Sequence, residues 1–148
     1  MSAYISNKKA SFNFELLETF EAGAVLFGYE VKSIRTGKGK LEGSHVVIRG
    51  GEAFLVGASI TAFQPVNTPK SYDPERARKL LLSKKELKVL ERESENAGLT
   101  IVPLKWYNSG RNLKLAIAIG RGKKKADKRE SLKERDTKRE IDRTLKGQ

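Results

Sequence analysis

The amino-acid sequence predicts a mainly β domain, a small barrel of about six strands, followed by a basic tail. Short segments in which apolar and polar residues alternate are separated by glycine-containing turns, a pattern typical of strands. From Gly120 onward the chain has only four apolar residues, which are too few to bury a core. We therefore expect one folded domain over residues 1–120 and a tail over residues 121–148.

Two hairpins are the clearest strand signals. In the first, Gly50-Gly51 supplies the positive φ angles of a two-residue turn between Val46–Arg49 and Glu52–Val56. In the second, apolar residues occupy every second position of the last strand, Leu113–Ile119. The other segments with strand patterning are Phe12–Phe20, Ala24–Phe27 and Leu99–Tyr107.

Helical signals lie mainly in the middle of the chain. Asp73-Pro74 fits the N-cap and first residue of a helix over Glu75–Leu82. Ser83–Glu86 fits the capping box of a second helix, which Gly98 would end. The segment Tyr29–Arg35 fits a helical turn as well as a strand. Strands with a helical insertion predict a closed or nearly closed barrel of the OB type, which presents a strand face and loops to irregular RNA.

Composition excludes several classes of function. The 148 residues include no Cys and a single His, His45, which excludes disulfides, thiol nucleophiles, Cys-based metal sites and a His cluster. No apolar run approaches the roughly 18 residues that span a bilayer, and the first residues lack the apolar stretch of a secretory signal. A cytoplasmic protein without a cofactor is therefore expected. The net charge of +12 indicates a polyanionic partner, in a cell usually nucleic acid, and makes catalysis the weaker expectation.

Residues 120–148 carry half of the net charge, +6. Acidic residues precede basic ones by four positions at Glu134–Lys138 and Asp142–Lys146, and each such pair adds about 0.2–0.5 kcal/mol to a helix. An isolated helix this polar is marginal in water. We expect the tail to be disordered when free and helical on a polyanion, while a solubilising tail without a partner fits the charge pattern equally well.

Two segments of the domain are suited to RNA. Glu30–Lys40 holds four basic residues, and its glycines let the backbone approach a phosphate, although the spacing is not that of a Walker A loop. An ordinary charged loop is the alternative. Trp106 and Tyr107 lie on opposite faces of a strand, so at most one would stack on a base, and burial of both is the alternative.

Acidic residues provide little support for an enzyme. Glu21 and Glu30 could bind Mg²⁺ in a nuclease, but charge balance with nearby Lys and Arg residues explains them more simply. The carboxylates dense enough to suggest acid–base chemistry are Glu15, Glu18, Glu21 and Glu30.

Seven strings, spread in order over nearly the whole chain, resemble one known family. They are Asn7-Lys8-Lys9-Ala10, Phe20-Glu21-Ala22-Gly23, Gly28–Lys38 with its Glu-Val-Lys-Ser-Ile-Arg core, Asp73–Leu82, Val102–Tyr107, Gly122-Lys123-Lys124 and Asp127-Lys128-Arg129-Glu130. The family is that of the SsrA-binding proteins, SmpB.

The resemblance implies an OB-type barrel of six strands with about three helices, the first at Tyr29–Arg35. It implies a non-enzymatic factor that binds the tRNA-like domain of transfer-messenger RNA (tmRNA). Such factors bring alanyl-tmRNA, with elongation factor Tu, to the A site of stalled ribosomes, where trans-translation rescues the ribosome and tags the nascent peptide. The tail would enter the vacant mRNA channel along the small-subunit rRNA. A general OB-fold RNA-binding or ribosomal protein without tmRNA specificity is the alternative.

The resemblance also assigns site residues, none of them catalytic or metal-binding. The RNA-binding positions of the barrel are Asn7, Lys8, Lys9, Glu21, Lys32, Ser33, Arg35, Gly37, Lys38, Lys105 and Tyr107. The ribosome-binding positions of the tail are Gly122, Lys123, Lys124, Asp127, Lys128 and Arg129. This sequence departs from the family at Ala126, where Tyr or His is frequent, and in the loop Phe63–Tyr72, which lacks the usual His residues.

Overall fold

A ring of paired strands organises the protein, as a computed structural model of residues 3–64, 66 and 68–123 shows. The elements in chain order are β1 (Ala3–Ser6), α1 (Ala10–Asn13), β2 (Phe14–Ala24), α2 (Gly28–Arg35), β3 (Gly39–Lys40), β4 (His45–Arg49), β5 (Glu52–Val56), β6 (Ser59–Ile60), β7 (Arg78–Leu81), α3 (Lys84–Ser94), β8 (Leu99–Ser109) and β9 (Asn112–Gly122). Six strands pair in the order β8-β4-β5-β7-β2-β9, and the β8–β9 pairing closes the ring.

Two of the strand pairings that form the ring involve only one or two residue pairs. Strands β4 and β8 meet through the single pair Val46↔Ile101, and β2 meets β7 only at Gly23↔Leu81 and the next pair. Strands β8 and β9, by contrast, pair along nearly their whole length. The predicted mainly β, OB-type class with three helices is confirmed within the described residues, as a ring of strands rather than a strict barrel. Short strands β1, β3 and β6 add to the six of the ring.

Both predicted hairpins are confirmed. Strands β4 and β5 are joined by Gly50 and Gly51, whose φ angles are 58° and 75°, as a twist-matched two-residue turn requires. Strands β8 and β9 are joined by Gly110-Arg111, because Asn108 and its neighbour continue the pairing beyond the predicted end. Strand β9 also runs to Gly122, past residue 120, where the domain was expected to end.

The predicted helix over Glu75–Leu82 is wrong, because half of this segment forms strand β7 and the rest is not helical. Arg78 and Leu80 both point into the core, with at most 2% of their surface exposed, and Arg78 is held there by the Glu30 carboxylate. Arginine is normally an exposed residue. The sequence therefore did not show that Arg78 and Leu80 alternate with exposed residues, as in a half-buried strand. The Asp73 carboxylate accepts a hydrogen bond from the N–H two residues later, at 2.9 Å, and makes a turn instead of starting a helix.

Three other segments were placed differently or left open. Phe12 was expected in a strand but lies in α1, and the strand begins only at Phe14. Val25–Phe27, also expected as a strand, follows β2 without regular structure, and Val25 is half-exposed. Tyr29–Arg35, which fitted either a helical turn or a strand, lies in α2, as the resemblance implied. The capping box of α3 is confirmed by reciprocal bonds between Ser83 and Glu86.

The core fills the ring and is closed by two helices. Trp106 belongs to the core with 1% of its surface exposed, so of the two neighbouring aromatic residues Trp106 and Tyr107 it is the one that is buried. Ile34 of α2 and Leu90 of α3 are fully buried against the strands. Within the described ranges, no helix has the length and apolar character needed to cross a membrane.

Candidate nucleic-acid interface

The outward side of β8, β9, β2 and β7 carries a polar surface, which we call the outer face. Strand pairing places Tyr107 beside Lys114, and the Lys114 ammonium comes close to the bare backbone of Gly23, which in turn pairs with Leu81. The side chains of Leu81 and Lys114 therefore pack over Gly23. The outer face consists of Glu21, Gly23, Leu81, Lys105, Tyr107 and Lys114.

A hydrogen bond spans the outer face. The Tyr107 hydroxyl donates to the Glu21 carboxylate at 2.5 Å, passing over Ala116 of the intervening strand. Burial and this hydrogen bond raise the pKa of Tyr107 to about 12. The Lys105 ammonium lies 5.3 Å from the centre of the Tyr107 ring, within range of a cation–π contact. The side chains that were expected to bind RNA are thus held in fixed positions relative to each other.

The C-terminal end of α2 adds positive charge beside the β8–β9 turn. The Arg35 guanidinium donates to the Asn108 side chain at 3.4 Å and to the Arg111 carbonyl at 3.5 Å. Lys32 of the same helix is exposed. Lys38, also exposed, lies after Gly37, whose φ of 76° turns the chain away from the helix. We call Lys32, Arg35 and Lys38 the helix-end cations.

A buried ion cluster sets the position of α2. The Glu30 carboxylate is fully buried and accepts hydrogen bonds from Arg76, Arg78 and the Tyr72 hydroxyl, and from the N–H of Phe27 at the start of the helix. Burial alone would raise the pKa of Glu30, but the hydrogen bonds from Arg76, the Phe27 N–H and Arg78 outweigh it and hold that pKa below its ordinary value. Glu30 is thereby engaged in structure and cannot serve as a surface acid or base.

Ser33 does not reach the surface. It is fully buried, and its hydroxyl oxygen has no hydrogen-bond partner among the described residues. A helix of this pitch turns Ser33 inward when its neighbours Lys32 and Arg35 point outward. The expected RNA contact at Ser33 is therefore corrected to a packing position.

A second polar region lies at the opposite end of β9. Asn7 donates from its side chain to the Pro103 carbonyl at 2.9 Å, and Lys123 donates to the Ser11 carbonyl at 2.9 Å. Both residues line a cavity of about 830 Å³, together with Lys9 and His45. We call Asn7, Lys9 and Lys123 the tail-base group, because residues 124–148 follow directly from it. Lys8 is exposed beside this group.

The expected site residues thus lie in two neighbouring regions. Glu21, Lys105 and Tyr107 lie near the helix-end cations. Lys123 and Gly122 lie at the end of β9, and Asn7 connects the two regions, because its N–H donates to the Leu104 carbonyl, next to Lys105. The expected tail positions Lys124, Asp127, Lys128 and Arg129, together with Ala126, lie outside the described residues.

The sequence pattern missed two members of the outer face. Lys114 lies on the polar side of β9. The alternation of apolar and polar residues in this strand is visible in the sequence and was sufficient to find Lys114. Leu81, half-exposed, could be found only by recognising β7 as a strand. Of the acidic residues considered for metal binding, Glu15 lies 3.6 Å from Arg121 and Glu18 is exposed. The described part of the chain contains no group of three or more His, Asp or Glu side chains placed to hold a metal ion.

The chain is similar to known proteins over most of its length. The family described as SmpB protein matches residues 4–147. An SsrA-binding protein of Enterococcus hirae is 49% identical over 141 residues, covering 95% of this chain and 91% of that protein. One of Microcystis aeruginosa is 46% identical over 140 residues, covering 95% and 91%. A solved structure described as "tmRNA-SmpB: a journey to the center of the bacterial ribosome" superposes with a TM-score of 0.68 at 40% identity, covering 86% of this chain and 93% of that one.

Proposed function

This chain belongs to the SmpB protein family, and from that membership we propose that it is an SsrA-binding protein that binds tmRNA and delivers it to stalled ribosomes for trans-translation. The match over residues 4–147 carries the proposal, because it includes the barrel and nearly all of the tail. The relatives are named SsrA-binding proteins, and the structural neighbour is named for tmRNA, SmpB and the ribosome.

The outer face and the helix-end cations form the surface for the tRNA-like domain of tmRNA. Lys105, Lys114 and Arg35 neutralise phosphates, which fix the orientation of the RNA. Glu21 accepts hydrogen bonds from base amines or 2′-hydroxyls, groups that a purely cationic surface would not select.

Lys123 is the start of the ribosome-directed part, while Asn7, Lys8 and Lys9 remain RNA-binding positions of the barrel. Residues 124–148, including Lys124, Asp127, Lys128 and Arg129, enter the vacant mRNA channel and become helical there, against small-subunit rRNA, and Gly122 anchors them in β9. The contacts of Lys123 support this arrangement, since they place the first residue of the tail where the strand ring ends. Helix content that rises on adding RNA, measured by circular dichroism, tests the folding of the tail.

The protein acts without catalysis and in the cytoplasm, meeting elongation factor Tu only through alanyl-tmRNA. Support comes from Glu30, the most enclosed carboxylate of those considered for a nuclease, which is neutralised by Arg76 and Arg78. Intact tmRNA after long incubation with the protein and Mg²⁺ is the expected result. Cleavage that disappears in Glu21→Gln would contradict it.

The decisive experiment compares binding to tmRNA with binding to an elongator tRNA at several salt concentrations, for the full chain and for a chain ending at Lys123. Both chains should prefer tmRNA, and only the full chain should support tagging on stalled ribosomes. Each phosphate contact adds about 0.7–0.9 to the salt slope, so the difference in slope between the two chains counts the tmRNA phosphates that the tail contacts. Equal affinity of both chains for tRNA and tmRNA would favour a general RNA-binding protein instead.

A further inference from the structure

The four basic side chains of α3 lie on one side of the helix. They are Lys84, Lys85, Lys88 and Arg92, and each is exposed. At 3.6 residues per turn they fall within an arc of about 100°, and Leu90, the buried residue of the helix, lies on the opposite side. We call these four residues the α3 basic face.

The acidic residues of α3 do not neutralise this face. Glu86 is half-buried and accepts a hydrogen bond from the N–H of the N-cap residue at 3.1 Å. Glu93, also half-buried, accepts from the Asn96 side chain at 3.3 Å and from Arg92 at 3.4 Å. Glu91 is exposed beside the face. The face therefore keeps an excess of positive charge, and Arg92 leaves 71% of its side chain in contact with solvent.

This arrangement of charge is unfavourable for the helix itself. Lys88 lies four residues from both Lys84 and Arg92, and like charges at this spacing destabilise a helix. Lys84 and Lys85 also occupy the first turn, where the partial positive charge of the helix N-terminus disfavours cations. Helix stability does not explain the α3 basic face, whereas a bound polyanion would relieve both repulsions.

The α3 basic face lies apart from the outer face and near the start of the tail. Helix α3 packs against β4, β8 and β9, with Leu90 in the core, so its basic face points away from the ring. The chain that leaves the helix passes through Gly98, whose carbonyl accepts a hydrogen bond from the Gly122 N–H at 3.4 Å. Lys123 of the tail-base group follows directly.

We propose that the α3 basic face binds the phosphate backbone of ribosomal RNA, as a second RNA-binding surface besides the one for tmRNA. Lys84, Lys88 and Arg92 recur about every 6 Å along the helix, so one RNA strand can place several phosphates against them. Lys and Arg side chains contact phosphates without reading sequence, which suits a structured RNA recognised by its shape.

The position of α3 assigns the partner. Its C-terminal side adjoins Gly122, where the ribosome-directed tail begins, and none of its basic residues belongs to the outer face. We therefore expect the α3 basic face to meet RNA of the ribosome and not tmRNA. The inference rests on the proposed function, because it adds a ribosomal contact to a factor that delivers tmRNA.

The test compares the double variant Lys88→Gln with Arg92→Gln against the control Arg49→Gln with Lys70→Gln. The control removes the same charge from exposed positions outside α3. The full chain with bound tmRNA is titrated onto stalled ribosomes at several salt concentrations. The α3 variant should bind about 10-fold or more weakly at 0.1 M salt, with a salt slope lower by about 1.4–1.8, because two phosphate contacts are lost. The control should bind like the original protein. Equal losses in the two variants would make net charge alone responsible and overturn the proposal.

Two further measurements exclude other causes. Affinity for tmRNA alone should be unchanged in the α3 variant, and a loss there would assign the face to tmRNA and overturn the proposal. Urea titration should give a free energy of unfolding no lower than that of the original protein, because Gln is a good helix former and a like-charged pair is removed. Weaker ribosome binding that is matched by lower stability, without a change in salt slope, would show a structural role and overturn the proposal.

A cross-link identifies the group that the face meets. Since the chain contains no Cys, Lys88→Cys provides a single attachment site for a photoreactive cross-linker. On stalled ribosomes it should react with ribosomal RNA, and reaction with a ribosomal protein or with tmRNA instead would overturn the proposal. If the original protein delivers tmRNA and the α3 variant binds ribosomes equally well, the proposed function stands and the α3 basic face fails. If the original protein does not prefer tmRNA, the proposed function itself fails.

Discussion

The hydrogen bond between Tyr107 and Glu21 links the first long strand of the ring to the hairpin that ends it. The two oxygen atoms lie 2.5 Å apart, and the bond crosses strand β9, which lies between β8 and β2. Single side chains of this kind determine which groups the surface presents to RNA. The backbone hydrogen bonding of the strands does not, because it is the same for any strand. Ser33, by contrast, is a polar residue within a basic stretch of the sequence, but it is buried and contributes no polar group to the surface.

Tyr107 provides a pH-dependent readout. Because its pKa is raised to about 12 in the folded protein, from an ordinary value of about 10, its contribution to stability is complete below pH 10 and is lost as the pH rises through 12. Ultraviolet titration of the phenols should show that Tyr107→Phe removes a group ionising near pH 12. A missing group near pH 10 instead would mean that the contact with Glu21 is absent in solution.

Replacing Ser33 should separate packing from RNA binding. Ser33→Ala removes a buried hydroxyl that has no partner among the described residues, so we expect the free energy of unfolding to rise by about 1 kcal/mol in urea titration. Affinity for tmRNA should be unchanged. The neighbouring change Lys32→Ala should do the reverse, lowering affinity and the salt slope while leaving stability nearly unchanged. Loss of RNA binding in Ser33→Ala would show instead that Ser33 takes part in the RNA interface.

At the scale of elements, the position of α2 depends on contacts that are remote in sequence. Glu30 in the first turn of α2 meets Arg76 and Arg78, which lie 46 and 48 residues later. The cluster fixes the N-terminal end of the helix, and Arg35 fixes the other end against the β8–β9 turn. The position of the helix-end cations beside the outer face therefore depends on the pairing of β7 with β5 and β2, which places Arg78 against Glu30.

Removing one partner of this cluster should be costly. Glu30→Gln leaves the buried Arg78 guanidinium without its counter-ion, and we expect the free energy of unfolding to fall by about 3–5 kcal/mol. Glu52→Gln is the control, because its pair with Lys79 is exposed and should contribute less than about 1 kcal/mol. Similar losses of unfolding free energy in the two variants, measured by chemical denaturation, would show that the buried cluster stabilises the protein no more than an exposed ion pair does.

The same cluster predicts an acid-dependent stability. Because the pKa of Glu30 is lowered in the folded protein, its contribution is present above the ordinary pKa near 4.5 and is lost as the pH falls through the folded value. Stability measured from pH 7 downward should therefore fall more steeply in the original protein than in Glu30→Gln. Parallel pH profiles would contradict the assigned contacts.

At the scale of the whole molecule, the ring and the tail meet at the end of β9. Phe14 pairs with Gly122, and the Lys123 N–H donates to the Asn13 carbonyl at 3.0 Å, so the ring is complete only at residue 123. Half of the net charge follows from residue 120 onward. A basic segment that begins where the ring ends is suited to contacting a second site while the ring binds RNA.

Truncation should locate this boundary. A chain ending at Lys123 keeps every pairing of β9 and should unfold at the same temperature as the full chain. A chain ending at Gly120 loses the pairs that Arg121 and Gly122 make with β2 and β8, and its unfolding midpoint should fall by several degrees. Equal midpoints for the two truncated chains would place the boundary of the folded domain at residue 120.

The sequence by itself determined the β class, both hairpins, the capping box of α3 and the concentration of positive charge, because each depends on neighbours within a few residues. The ordered strings were sufficient to indicate the family. Only the tertiary structure decided that Arg78 belongs to a strand, that Ser33 is buried and that Lys114 and Leu81 join Tyr107 and Glu21. The physical reason is that a side chain such as Arg78 takes its place from a partner 48 residues away, and local propensity contains no record of that partner.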